Sequence, residues 1–305
     1  MIGPGGSLVA LAKLAVRGMR SRGAADPLPL VPRRRLAVER REVVPRADRL
    51  RGYLRATDGT RIPALQGPDA VASPVYCATW ETGATLELLT QVLEALPAGG
   101  IVHLESELLP LRPLRPGDHV RARVELERTE RTEKGVRLLL TTRVWSAAEQ
   151  LCSQSSATLL IRSRASATPR SGEARPEPAD AEASGTVREE LARWRLPSGA
   201  GRRYALASGD YNPIHLWGWT ARPFGYRRPI LHGFCIEARV AHALIEHRFR
   251  GDPTALRRLK IAFRAPLLLP ARVRLLVGSE EGHGVFRVAD EEGEKVYAEG
   301  EFVGG

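Results

Sequence analysis

Asp210 and His215 stand five residues apart in the stretch Ser-Gly-Asp-Tyr-Asn-Pro-Ile-His, residues 208–215. An aspartate titrates near ~3.9 and an imidazole near ~6.5, so at neutral pH one offers a charged acceptor and the other a nearly neutral ring. Facing one small space, such a pair can hold a water and move its protons. Ser-Gly-Asp and Asn-Pro are also turn signals: Gly209 is free to take positive φ, and Pro213 fixes its own. The turn is stiff enough to hold both side chains toward one cleft. Taken singly, Asp210 reads as a turn or cap carboxylate and His215 as a satisfied histidine. Their joint pattern points to chemistry.

Gly233 follows in Pro-Ile-Leu-His-Gly-Phe, just ahead of an apolar helical pattern. A glycine there leaves bare backbone N–H groups at the positive end of a helix. That is a site for a developing oxyanion; alone, His-Gly is equally an ordinary helix entry. His232 reads as positional, orienting the turn.

These residues need a scaffold, and the chain supplies a repeated one. Residues 162–186, rich in Ser, Ala, Pro, Gly and charge, have almost nothing to bury and read as a linker. They separate a first half, 33–161, from a second, 187–305; residues 1–32 form a basic N-terminal segment, expected to be an amphipathic helix. In the first half, Thr82–Pro97 carries Leu86, Leu89, Val92, Leu93 and Leu96 at helical spacing. Strand-like runs follow at 100–109, 119–130, 136–147 and 152–164. In the second half, Phe234–Phe249 reads as a helix, followed by strand-like runs at 256–269, 271–281, 284–292 and 295–304. The Pro-rich bends match: Pro113-Leu114 corresponds to Pro266-Leu267, and Pro116 to Pro270. A long helix followed by antiparallel strands is an α+β order. Two copies suggest one continuous sheet, an internal pseudo-dimer that removes two exposed edges.

Bulk properties exclude several classes. Of 305 residues, 43% are hydrophobic, enough for a real core. No run of 18 apolar residues predicts a membrane span. The early apolar stretch is broken by Lys13 and Arg17, which argues against a secretory signal. Residues 1–55 hold 13 Lys+Arg against 4 Asp+Glu, so most of the net charge of +11 sits there. The rest is near balance and shows no basic stripe with interleaved aromatics, so no nucleic-acid groove is expected. A basic face still suits a phosphorylated ligand or an acidic carrier. Cys77, Cys152 and Cys235 form neither a metal-ligand spacing nor an even framework, and the seven histidines form no zinc pattern. Buried thiols and a cytoplasmic setting are expected, with no metal.

The window resembles the signature of the MaoC-like dehydratases, the (R)-specific enoyl-CoA hydratases. Tyr204, Ser208, Gly209, Asp210, Asn212, Pro213, Ile214, His215, Pro229, Ile230, His232 and Gly233 carry the match. The second half resembles the family throughout and the first half only its hot-dog fold. The resemblance therefore implies a double hot-dog, each repeat a long central helix wrapped by an antiparallel sheet. It implies that Asp210 and His215 grip the catalytic water as acid/base pair, and that Asn212 holds the loop and helps orient Asp210 or the substrate. It also implies that the Gly233 N–H binds the thioester oxygen. A helix hydroxyl found in some relatives has no counterpart, since 234–249 holds no Ser or Thr.

In the first half the nearest acid/imidazole pairing, Asp118-His119, is adjacent and reads as bend residues. One active site per chain is expected, and the resemblance implies a first half widened for long or bulky acyl chains. The reaction implied is reversible syn addition of water to a trans-2-enoyl thioester. No cofactor is implied beyond the coenzyme A or phosphopantetheine that belongs to the substrate. Arg222, Arg227 and Arg228 are candidates for its phosphates; singly, each reads as a solvated loop residue. The alternatives are an acyl-carrier-protein-linked dehydratase of lipid or polyketide synthesis, a thioesterase, and a non-catalytic acyl-thioester-binding protein. Beyond the internal pseudo-dimer, a homodimer stays open.

Overall fold

The structure, a computed structural model, describes residues 36–93, 101–162, 189–280 and 282–305. The expected N-terminal helix lies outside the described residues, as do the linker beyond Arg162 and residues 94–97 of the first helical pattern.

Each half runs strand, helix, central helix, then four strands. The first half comprises β1 (Leu36–Val43), α1 (Ala47–Thr57), α2 (Ala78–Val92), β2 (Ile101–Pro110), β3 (His119–Thr132), β4 (Gly135–Ser146) and β5 (Leu151–Arg162). The second comprises β6 (Glu189–Leu196), α3 (Ala200–Ser208), the one-turn α4 (Gly218–Ala221), α5 (Gly233–His247), β7 (Leu256–Phe263), β8 (Ala271–Glu280), β9 (His283–Asp290) and β10 (Val296–Gly304). All ten strands form one antiparallel sheet in the order β1-β3-β4-β5-β2-β7-β10-β9-β8-β6. The order reads the same from either end once each strand is replaced by its mate. The halves meet where β2 pairs β7, with Glu105 opposite Ala262 and Leu108 opposite Leu259. This is the α+β double-helix-in-sheet architecture that the repeat implies.

Local chemistry explains the elements. β3 alternates cleanly: Val120, Ala122, Val124 and Leu126 are buried, while Arg123 and Arg143 meet Glu125 on the other face. That is the period-2 signature of a half-buried strand. The central helices are buried round most of their girth, as core helices must be. On α2 these residues include Ala84, Leu88 and Leu89; on α5 they include Ala238, Val240, Ala241, Leu244 and Ile245.

The sequence pattern departs from the structure in identifiable places. The apolar run 256–269 is not one strand: β7 stops at Phe263, and Leu267–Leu269 form a bend in which Leu268 bridges Ile230. Pro266 and Pro270 supply no N–H to a ladder, which is why the run breaks. β1, α1, β6 and α3 were not signalled. The outer strands are short and charged, and α1 and α3 carry few apolar residues in regular register.

Both central helices bury a glutamate. Glu81 on α2 takes a hydrogen bond from Ser155 Oγ at 2.7 Å, and Glu237 on α5 has Ser106 of β2 beside it. Burial pushes Glu81 up to about 7 and Glu237 up to about 8. Both are therefore largely protonated below neutrality, which lowers the cost of their burial.

Candidate active site

The turn 208–215 is built by its own polar groups. Helix α3 ends at Ser208, and Gly209 takes the left-handed conformation at φ 81°. The Ser208 hydroxyl donates to the Tyr204 carbonyl and accepts from the Asp210 N–H. Asp210 Oδ1 accepts from the Asn212 N–H at 3.1 Å. Asn212 Oδ1 in turn caps the single 3₁₀ turn Pro213–His215 by accepting from Ile214 N. The sequence order Ser-Gly-Asp-x-Asn-Pro is thus a relay of short-range acceptors that fixes Asp210 and leaves its second oxygen available.

His215 is held from the opposite side. Its Nδ1–H donates to the Ile230 carbonyl at 2.9 Å, so Nε2 is the bare nitrogen. Its ring stacks on that of His232, with centroids 3.7 Å apart and 26° between planes. His232 Nε2–H donates to the Asp210 carbonyl at 3.0 Å, and Tyr204 packs its ring 4.8 Å from His232. Asp210, His215 and His232 present side-chain N and O atoms within 4.8 Å of one another.

Burial raises the Asp210 carboxyl above its usual range, offset in part by His215 and the Asn212 N–H. Burial likewise lowers His215, offset by Asp210 and the Ile230 carbonyl. It lowers His232 further, with His215 adding to the effect. Both imidazoles are thus neutral at pH 7. His215 Nδ1 and His232 Nε2 are each committed to a backbone carbonyl, which leaves one bare nitrogen on each ring, with the Asp210 carboxyl alongside, an arrangement able to hold a water and move its protons.

Helix α5 begins at Gly233 directly after His232. As the first helical residue its N–H has no carbonyl one turn behind it. A Cβ at this position would stand 3.0 Å from Phe263 and 3.1 Å from His103 Nδ1. His103 and Phe263 therefore wall the helix entrance. Sequence reasoning passed over both, because His103 comes from β2 of the other half and nothing near it in sequence announces the contact. Its ring also packs on Phe234 at 4.6 Å, and its Nε2 is buried without a partner among the described residues. Burial lowers His103 to about 4.

The structure thus brings Asp210, His215 and Gly233 to one place, with Asn212 in the turn beside them. It does not bring Arg222, Arg227 or Arg228 into contact with the pair. All three are exposed, on an excursion that leaves at His215 and returns at Ile230.

The first half has a counterpart that is not Asp118-His119. Asp118 instead closes a turn by accepting from Arg115 N at 2.7 Å. The true mate follows α1: Asp58 caps that helix in the left-handed conformation, and a 3₁₀ turn follows at Pro63–Leu65. Val71 N donates to Ala64 O at 3.0 Å just as Ile230 N donates to Ile214 O at 3.1 Å. Ala72 N to Leu114 O matches Leu231 N to Leu267 O. Counted from the shared proline, Thr60 replaces Asp210 and Leu65 replaces His215. Ser73 then replaces His232, and Pro74, with no N–H, replaces Gly233. A cavity of about 170 Å³ opens at this entrance, lined by Pro74, Tyr76, Trp80 and Leu114 among others, and it holds no acid/imidazole pair.

The fold and site together define a double hot-dog protein with one acid/imidazole turn set against a helix entrance. Residues 178–300 match the family described as the MaoC like domain. The chain is 31% identical over 270 residues to 3-hydroxyacyl-thioester dehydratase X of Mycobacterium tuberculosis, covering 86% of this chain and 88% of that one. The crystal structure of HtdX of M. tuberculosis superposes with a TM-score of 0.67 at 22% identity, covering 89% of this chain and 100% of the other. An M. tuberculosis protein with a double hotdog fold aligns with a TM-score of 0.56 at 14% identity over 88% and 95% of the two chains. The chain belongs to the MaoC-like dehydratase family. The three cysteines are free and buried, and among the described residues no helix is long and apolar enough to cross a membrane.

Proposed function

We propose that the chain is an (R)-specific enoyl-thioester hydratase, working in reverse as a 3-hydroxyacyl-thioester dehydratase. The observation that carries this reading is the convergence of Asp210 and His215 on one turn beside the first N–H of α5. Water lies between the Asp210 carboxylate and the bare Nε2 of His215. The pair directs its oxygen at Cβ of a trans-2-enoyl thioester and returns a proton to Cα on the same face. Charge gathers on the thioester oxygen as the enolate forms, and the Gly233 N–H receives it. One well-aimed donor of this kind is worth roughly 3–4 kcal/mol in the transition state. The thioester itself acidifies Cα, so these residues carry the reaction without a metal or added cofactor. His232 acts by positioning, as the plate behind His215 and the tie to the Asp210 backbone.

The similarity to a 3-hydroxyacyl-thioester dehydratase supports the substrate class. Whether coenzyme A or a carrier protein bears the acyl group is the main alternative within this reading. A non-catalytic acyl-thioester-binding protein has no use for a water-gripping acid. Loss of enoyl-thioester absorbance across a chain-length series, with chiral analysis of the product, tests the proposal. Accumulation of the (R)-3-hydroxyacyl thioester is expected. Binding without hydration at every length, or release of free thiol, contradicts it.

A further inference from the structure

The excursion between Ile214 and Ile230 is long in the catalytic half and short in its mate, where Ala64 and Val71 bracket only a brief loop. The extra chain is not filler. It carries Trp217 and Trp219, stacked at 5.9 Å and 18°, and Trp219 is 72% exposed. Neither ring serves the core. Thr220 fastens the segment by donating to the Pro213 carbonyl at 2.6 Å, and the α4 turn is built on it. Arg202 of α3 lies 5.7 Å from the Trp217 ring and donates to the Leu216 carbonyl, which joins α3 to this segment. One helical turn beyond Arg202, Leu206 is 73% exposed.

This stretch of chain is one-sided in charge. Residues 197–236 hold five arginines, Arg202, Arg203, Arg222, Arg227 and Arg228, and one acid, the buried Asp210. Among the described residues none of the five is ion-paired. Exposed large apolar side chains rimmed by unpaired cations mark a place that something else covers. Both ends of the excursion are pinned at the acid/base turn, by Ile230 N to Ile214 O and by His215 Nδ1 to Ile230 O. Whatever docks here stands on the segment whose ends are tied to the Asp210–His215 turn.

We propose that Leu206, Trp217, Trp219 and the surrounding arginines form the docking surface for an acidic acyl carrier protein, which delivers the thioester on its phosphopantetheine arm. This rests on the hydratase reading and names the carrier it uses. A nucleotide would engage a ring and a few phosphates. It would leave Leu206 bare and most of the guanidinia, spread over α3 and the excursion, unused. The negatively charged, partly apolar face of a carrier protein matches both features, and long-range attraction speeds its approach.

The test compares one acyl group on two carriers. trans-2-Octenoyl is supplied as the coenzyme A thioester and on the holo acyl carrier protein of a type II fatty acid synthase. The wild type is assayed beside Arg203→Glu, Leu206→Glu and Trp219→Ala, with circular dichroism and thermal melting to verify folding. Each substitution should lower kcat/KM for the carrier-bound substrate about ten-fold or more and change the coenzyme A substrate by less than about two-fold. Raising salt should depress the wild-type carrier reaction and leave the coenzyme A reaction nearly flat. Equal losses on both substrates, a loss on coenzyme A alone, or no change on either overturns the proposal. A wild type that hydrates neither substrate refutes the hydratase reading instead.

Discussion

Two helix entrances in this chain share one architecture and differ in the side chains that line them. At the catalytic entrance, Asp210, His215, His232 and Gly233 surround the first turn of α5. At the other, Thr60, Leu65, Ser73 and Pro74 stand in the same order before α2, and His242 reaches in from α5. Ser73 Oγ–H donates to His242 Nε2 at 2.8 Å while accepting from Val75 N, and His242 Nδ1–H donates to the Thr57 carbonyl at 3.0 Å. Ser73 and His242 thus spend their hydrogen bonds on the protein itself. At the catalytic entrance the second Asp210 oxygen, His215 Nε2 and the Gly233 N–H are left over. The comparison teaches that, on the proposed reading, catalysis draws on unspent hydrogen-bonding capacity at a fold position that both halves possess.

The comparison can be broken or sharpened by substitution. The largest effect is expected from His215→Gln, which removes the base but keeps a polar group of similar reach. Turnover should fall by about 10²–10⁴, whereas Leu65→Gln, its mate, should leave turnover within about two-fold. Steady-state kinetics on an enoyl thioester measures both. Next comes the helix entrance itself. Gly233→Ala and Gly233→Pro both add a Cβ against Phe263 and His103, but only proline deletes the N–H, and proline is well tolerated at a first helical position. The proline variant should be slower than the alanine variant by about 10²–10³ in kcat. Equal rates for the two would remove the amide from the mechanism.

Smaller effects fall on stability. Ser73→Ala removes the cap and strands His242 Nε2, which should cost about 1–3 kcal/mol. Denaturant melts should show this, with kcat unchanged. The buried glutamates add a pH dependence. Their folded pKa values, about 7 for Glu81 and about 8 for Glu237, lie above the unfolded range. The unfolded chain therefore binds fewer protons than the folded one between those limits. The contribution of this pair to stability is fullest below the ordinary glutamate range and is lost as pH rises through 7 and 8. Glu237→Gln should flatten the alkaline part of that decline. Melting temperatures across pH 5–9 read it out.

Much of this was legible from residues alone. The two central helices, eight of the ten strands and the matched bends follow from periodicity and proline placement. The signature from Tyr204 to Gly233 gave the site in order, because a turn made of short-range acceptors must be contiguous in sequence. What stayed hidden was non-local. His103 reaches Gly233 only because β2 pairs β7, and His242 reaches Ser73 only because α5 crosses to the other half. The counterpart at Asp58–Leu65 shares only a proline and a glycine with its mate, too little for pattern matching; backbone hydrogen bonds reveal it. Glu81 and Glu237 were unmarked because a charge inside an apolar helical pattern ordinarily faces solvent.

The most direct measurement is the hydration rate of Asp210→Asn beside wild type and Thr60→Asn, followed by loss of enoyl-thioester absorbance on folded protein. One working entrance per chain predicts a fall of about 10³ or more for Asp210→Asn and a rate within about two-fold of wild type for Thr60→Asn. An Asp210→Asn enzyme that turns over like wild type, or a Thr60→Asn enzyme as crippled as its mate, would contradict the account.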